Sequence, residues 1–132
     1  MQPRIAIIDD DEHVRFSVGV LFEVSGFDVE SFESAEEFLG HRDFCRFACL
    51  IIDFRLPGLN GLEFLRVLRD QNVLAPAVIS SGFISESDEA DFIAKGAIKV
   101  LHKPVEAKFL VSTINDIIAR ESPFVPSSRE VS

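Results

Sequence analysis

The chain has 132 residues, a hydrophobic fraction of 47% and a formal net charge of −9. Its length suits one domain with its own core, its acidity argues against direct nucleic-acid binding, which needs a basic footprint, and no apolar run approaches the roughly 20 residues of a membrane span. Two cysteines, Cys45 and Cys49, form neither a disulfide framework nor a metal cluster, and with no N-terminal signal visible the expected location is the cytoplasm.

Apolar strand runs and helical patterns alternate five times along the chain. Ile5-Ala6-Ile7-Ile8 predicts a first strand over 4–8, ending in Asp9-Asp10-Asp11. A first helix follows over 12–25, with Val14, Val18, Leu21, Phe22 and Ser25 along one stripe and Gly26 past its end. A second strand is expected over 27–31. Ser34-Ala35-Glu36-Glu37 reads as a capping box for a short helix carrying Phe38 and Leu39. Leu50-Ile51-Ile52 predicts a third strand over 49–52, which runs into Asp53; Cys49, opening it, reads as a small buried hydrophobe. The third helix spans 61–70, with Leu62, Leu65 and Leu68 at helical spacing. Ala77-Val78-Ile79 predicts a fourth strand over 77–80, ending at Ser80-Ser81, followed by a helix over 87–95 that Gly96 closes. A fifth strand over 99–101 leads into His102, Lys103 and Pro104. The last helix covers 106–120, with Phe109 or Leu110, then Ile114, Ile117 and Ile118, on one face. Residues 122–132 read as a C-terminal tail or linker after a domain of residues 1–121.

Strand–helix alternation with short connections forces parallel strands and right-handed crossovers, so the fold class is α/β: a doubly wound, five-stranded parallel sheet with five helices. In such sheets ligands bind outside the carboxyl ends of the strands. That edge would gather Asp9, Asp10, Asp53, Ser81 and Lys103. Clustered carboxylates repel, and a hard divalent cation such as Mg²⁺, with oxygen ligands and positions left for phosphate oxygens, offsets that cost. Asp53 as a nucleophile on phosphorus would give an acyl phosphate. Lys103 and the metal would offset charge on the transferring group, and Ser81 would donate a hydrogen bond to it. Taken singly, each residue has a plainer reading: the acids as a helix cap, Asp53 and Ser81-Gly82 as turn formers, Lys103-Pro104 as an exposed loop. The ordered set at four strand ends carries the argument. His13 and His102 near that edge read as solvated, and His41 has no assigned role.

The whole set resembles the receiver domain of two-component response regulators. The resemblance rests on Ile8-Asp9-Asp10-Asp11-Glu12-His13-Val14-Arg15, on Asp53-Phe54-Arg55-Leu56-Pro57-Gly58-Leu59-Asn60-Gly61-Leu62-Glu63, on Ser80-Ser81-Gly82, on Ala94-Lys95-Gly96-Ala97 and on Lys103-Pro104, and covers about residues 3–120. It implies a flavodoxin-like strand order 2-1-3-4-5. It implies Asp53 as the phosphoacceptor, and Mg²⁺ held by Asp10, Asp53 and the backbone carbonyl of Arg55, with Asp9 acting through water. Val14-Arg15 sets this register and leaves Asp11 outside the acid pair. Ser81 matches the hydroxyl position of the switch, Lys103 the phosphoryl-pairing lysine, and the bond to Pro104 is cis in the family. Two positions depart from the pattern. Val100 stands where an aromatic ring usually swings, and Val105 where Phe is common. Arg55 and Phe83 match positions that tune phosphoryl lifetime. The implied function is a phosphorylation-activated switch rather than an enzyme, loaded by a sensor histidine kinase or phosphotransfer protein. It would act on a downstream protein target or an output domain outside this chain, with a homodimer through the fourth helix, fifth strand and fifth helix as a further implied partner. The rival class is a haloacid-dehalogenase-type phosphatase reading Asp9-Asp10-Asp11 as its nucleophile and acid. It lacks a late acidic pair and leaves Asp53 idle. A third is an unphosphorylated scaffold of the same fold.

Overall fold

The pleat sorts the side chains of each strand to two sides, and the two cores follow from it. Along β1 (Arg4–Ile8), Ala6 and Ile8 enter one apolar cluster while Ile5 and Ile7 enter the other. In β3 (Cys49–Asp53) the split is Leu50 and Ile52 against Cys49 and Ile51, and in β4 (Ala77–Ser81) it is Ala77 and Ile79 against Val78. All residues of β3 and β4 are buried, the state of strands covered on both faces. The computed structural model of the protein describes residues 2–41, 46–82, 85–103 and 106–121.

The sheet is parallel, with order β2-β1-β3-β4-β5, as the resemblance implies. One cluster sits under α2 (Ala35–Leu39), α3 (Gly61–Asp70) and α4 (Glu86–Ala94), through Phe38, Phe64, Leu65, Leu68 and Phe92. The other lies under α1 (Glu12–Val24) and α5 (Ala107–Glu121), through Phe22, Leu110, Ile114 and Ile117. Each fully buried Phe or Ile contributes about 1.5–3 kcal/mol, so the two layers together hold the sheet.

Several expectations shift at their ends. β2 is Asp28–Phe32, one residue later than expected, because Phe27 closes α1 instead. Its N–H donates to the Phe22 carbonyl at 3.0 Å, Gly26 adopts φ +96°, and its ring packs edge-on against Phe22. β5 runs Ala97–His102, longer than expected, with a register irregularity near its start, where Ala97 pairs with Ala77 but Lys99 with Val78. α4 starts at Glu86, since Ser85 accepts from the Asp88 N–H at 3.1 Å as its N-cap. The expected capping box at Ser34 is half formed: Ser34 accepts from the Glu37 N–H, but Glu37 reaches the Glu33 N–H. The reciprocal box stands at Asn60 and Glu63, opening α3. On α1, Ser25 is exposed and Gly19 is buried in its stead. On α5, Leu110 takes the inner position and Phe109 stays 48% exposed. No helix among the described residues is long and apolar enough to cross a membrane.

Candidate functional site

The carboxyl ends of β1, β3, β4 and β5 meet at one rim, and the predicted residues arrive there together. Carboxylate oxygens of Asp9, Asp10 and Asp53 all lie within 4.8 Å of one another. Lys103 Nζ stands 3.4 Å from Asp53 Oδ1 and 3.7 Å from Asp9 Oδ2. Three carboxylates thus face one ammonium, which leaves the cluster in negative excess.

The two first acids differ in setting. Asp9 is buried; its Oδ1 accepts from the Asp11 N–H at 2.9 Å and its backbone carbonyl from Arg15 Nη1 at 2.8 Å. Asp10 is exposed and lines a recess of about 470 Å³ with Asp53, Arg55, Gly82 and Lys103. Asp11 is not part of this carboxylate cluster. It caps α1, accepting from the N–H groups of His13 and Val14, so the plainer reading of the acidic run holds for this one member.

Asp53 is buried at the end of β3, and its carboxyl is held above the usual aspartate range. Burial is the largest cause and the Asp9 carboxylate the second; Lys103 and the Arg55 N–H, which donates to Oδ1 at 3.3 Å, pull the other way. A dication at the recess would reverse that balance. Mg²⁺–oxygen bonds of about 2.1 Å set neighbouring ligand oxygens about 3 Å apart and opposite ones about 4.2 Å apart. Oxygens within 4.8 Å of each other therefore need only a small inward closure, and an all-oxygen, net-negative donor set suits a hard ion.

The loop after Asp53 is tied down by hydrogen bonds and by close backbone approach. Glu36 of α2 accepts from the Leu59 N–H at 3.0 Å, and the Gly61 N–H donates to the Phe54 carbonyl at 2.9 Å. Gly58 holds φ +73°. A Cβ at Gly61 would sit 3.0 Å from the Asp53 carbonyl oxygen and the Phe54 Cα, so glycine allows α3 to start against the backbone of the site. The Asn60–Glu63 box had a readable signal, an Asn followed three residues later by Glu before an apolar run.

Ser81 is fully buried at the last position of β4, in register with His102, and its carbonyl accepts from the Lys103 N–H at 2.6 Å. Val100 is 8% exposed and belongs to the cluster under α4. The ring that touches α4 near the site is instead Phe54, edge-on to Phe92 with centroids 5.4 Å apart. His13 is exposed, and the half-exposed His102 lies 3.4 Å from Glu89. His41 does have a partner: its Nε2 is 2.7 Å from Glu30, a contact between strand and loop that only the fold creates. Phe83, the Lys103–Pro104 bond, Val105, Cys45 and the 122–132 tail lie outside the described residues.

A five-stranded parallel sheet in this order with three aspartates and a lysine at its carboxyl rim defines a response-regulator type of domain. The sequence profile of the response regulator receiver domain matches residues 5–115, and the chain belongs to that family. The transcriptional regulatory protein FixJ of Bradyrhizobium diazoefficiens is 32% identical over 123 residues, covering 93% of this chain and 60% of FixJ. The cell cycle response regulator CtrA of Brucella ovis is 27% identical over 117 residues, covering 89% of this chain and 50% of CtrA. Among solved structures, the receiver domain of the Francisella response regulator 1452 superposes with a TM-score of 0.82 at 26% identity, covering 90% of this chain and 98% of that one. A CheY-like receiver domain protein from Methanospirillum hungatei superposes equally well, at 0.82 and 23% identity over 91% and 96% of the two chains, which speaks to the fold alone. The chain spans 60% of FixJ and about half the length of CtrA. It is a two-component receiver, and its relatives are signalling regulators.

Proposed function

We propose that Asp53 accepts a phosphoryl group from a sensor histidine kinase or phosphotransfer protein and that the acyl phosphate resets a binding surface. The observation that carries this is the placement of Lys103 Nζ, within 3.4 Å of Asp53 and 3.7 Å of Asp9, at the rim where three carboxylates converge. An Asp53 carboxylate oxygen bonds to phosphorus as the bond to the donor's imidazole nitrogen breaks. Asp10, Asp53 and the Arg55 carbonyl would hold Mg²⁺, with Asp9 acting through water. The burial of Asp9 and the exposure of Asp10 beside Arg55 support that division. When bound, the ion neutralises charge on the transferring group. Lys103 pairs with a phosphoryl oxygen, and Ser81 donates its hydroxyl to another. Ser81 and β5 around Val100 then carry the change outward.

Residues 1–121 form the receiver and 122–132 a tail or linker, in a cytoplasmic regulator. The recipient is a downstream protein or an output domain such as the length of FixJ and CtrA beyond this match leaves room for. Ile93, Ile98 and Phe109 expose apolar surface on α4, β5 and α5, which supports a homodimer or target contact there.

The test is incubation with Mg²⁺ and acetyl phosphate or beryllofluoride, with mass spectrometry or ¹⁹F resonance as readout. A one-to-one adduct lost in Asp53→Asn is the expected result. Phosphatase turnover that survives Asp53→Asn but dies with Asp9→Asn would instead support the dehalogenase-type reading.

A further inference from the structure

The β3–α3 loop, residues 54–60, carries the Arg55 carbonyl and is fixed at both ends. At its start the Phe54 N–H donates to the Ser80 carbonyl at 2.9 Å and the Arg55 N–H to Asp53 Oδ1 at 3.3 Å. At its close α3 holds it, through the Asn60–Glu63 box and the Gly61 N–H on the Phe54 carbonyl. Between these anchors lies the tip, Leu56-Pro57-Gly58-Leu59. Pro57 has no N–H to donate, and Gly58 holds φ +73°.

Among the described residues, one side chain from beyond β3 and α3 is hydrogen-bonded to this loop. Glu36 Oε2 accepts from the Leu59 N–H at 3.0 Å, across 23 positions of sequence. The approach is close: a Cβ at Gly58 would stand 2.6 Å from Glu36 Oε2 and 3.1 Å from Oε1, so glycine at 58 admits the carboxylate as well as the positive φ. Glu36 lies in the first turn of α2, whose own capping does not use it: Ser34 accepts from the Glu37 N–H, and Glu37 accepts from the Glu33 N–H. α2 is a firm base for the tie, since its Phe38 is fully buried and edge-on to both Phe32 and Phe64. A charged acceptor on a backbone N–H makes a bond about twice as strong as a neutral one.

We propose that Glu36 is a positioning residue for the metal site: through the Leu59 N–H it holds the loop in the shape that presents the Arg55 carbonyl to Mg²⁺. The inference rests on the switch reading and deepens it, adding α2 to the elements that set the site. Glu36 and the ion act on one loop from two places, so their coupling is reciprocal: the bond favours the ion as much as the ion favours the bond. The role belongs to an acceptor oxygen at that place rather than to the charge it carries.

The test is Mg²⁺ titration of the full chain, the Glu36→Ala variant and the Glu36→Gln variant. Loss of one ordering hydrogen bond should weaken Mg²⁺ about three- to tenfold in Glu36→Ala. Glu36→Gln keeps an acceptor oxygen and should stay within about twofold of the unaltered protein. Labelling of Glu36→Ala by acetyl phosphate should slow at limiting Mg²⁺ and recover at saturating Mg²⁺. In the unaltered protein Mg²⁺ should slow hydrogen exchange at the Leu59 amide, and that protection should vanish in Glu36→Ala, an effect that a role in α2 stability alone would not produce. Equal Mg²⁺ affinity in Glu36→Ala and the unaltered protein would overturn the proposal. So would a loss in Glu36→Gln as large as in Glu36→Ala, since charge acting through space would then be the cause, or a labelling defect that saturating Mg²⁺ does not repair. If the unaltered protein bound no Mg²⁺, or if Asp53→Asn labelled as well as it does, the switch reading would fall and this inference with it. Normal binding and labelling there, beside an indifferent Glu36→Ala, would sink this inference alone.

Discussion

Asp53→Asn should change stability with opposite sign in the absence and presence of Mg²⁺. Without metal, the buried carboxylate is disfavoured by desolvation and by Asp9, and Lys103 with the Arg55 N–H does not fully offset this, since the net displacement of its titration is upward. Asparagine removes the charge and keeps the shape, so the variant should melt higher in EDTA, by the order of 1 kcal/mol typical of one polar site. With metal, the order turns. At a free ion concentration a hundredfold above its dissociation constant, binding stabilises the folded state by about 2.7 kcal/mol. An unfolding entropy of about 2.1 cal/mol/K per residue gives roughly 0.28 kcal/mol/K over this chain, so the unaltered protein should gain about 10 °C. If the loss of one of two direct carboxylates weakens the ion tenfold, the variant gains about 1.4 kcal/mol, or about 5 °C. Calorimetry or circular dichroism across a Mg²⁺ series reads both arms. Equal metal shifts in the two proteins, or a lower melting point for Asp53→Asn in EDTA, would refute the reasoning.

The same upward displacement predicts a pH dependence: the folded state holds a proton on Asp53 that the unfolded chain has released, so metal-free stability attributable to this group should fall as pH rises from the ordinary aspartate value through the raised one. Mg²⁺ affinity should rise over the same window, measurable by titration at several pH values, and a flat profile would count against an ionising ligand at this position. Gly61→Ala should cost about 1–3 kcal/mol in contact with the Asp53 and Phe54 backbone, partly offset by about 1 kcal/mol of helix preference, and should weaken Mg²⁺ because it moves the loop that carries Arg55. Phe92→Leu should leave beryllofluoride uptake intact while reducing the α4 amide shifts that uptake produces; full shifts would remove the Phe54–Phe92 contact from the coupling.

The rim was legible because its chemistry recurs at four strand ends, each marked by an abrupt change from apolar run to acid, hydroxyl or ammonium. Strand order followed from the resemblance alone, while the alternation of strands and helices gave only that the strands run parallel. Boundaries failed where one residue serves two elements. Phe27 looks like the start of a strand, but its N–H closes α1. Ser85 and Asn60 are caps hidden inside stretches whose other residues draw attention. The phase of α1 was half legible, since a helix apolar nearly all round does not announce which stripe is covered. Glu36 on the Leu59 N–H and Glu30 on His41 are contacts between segments distant in the chain, and only the fold could reveal them.

Val100 bears on how the phosphoryl event travels. A ring that swings at this position needs space on either side of β5; a valine that is 8% exposed and packed under α4 has one place to be. The route outward must then use groups that are both tied to the site and in contact with α4. Two exist among the described residues. The Lys103 N–H is bonded to the Ser81 carbonyl, so a shift of the lysine toward a phosphoryl group pulls on β4 and β5 together, and His102, between them in register with Ser81, meets Glu89 of α4. Phe54, the residue after the proposed acceptor, lies edge-on against Phe92 of α4, which is fully buried. An edge-to-face pair is worth about 0.5–1.5 kcal/mol, enough to bias a two-state helix position severalfold. On this reading α4 moves as a packed body pushed from beneath at Phe92, rather than following a ring that rotates within β5.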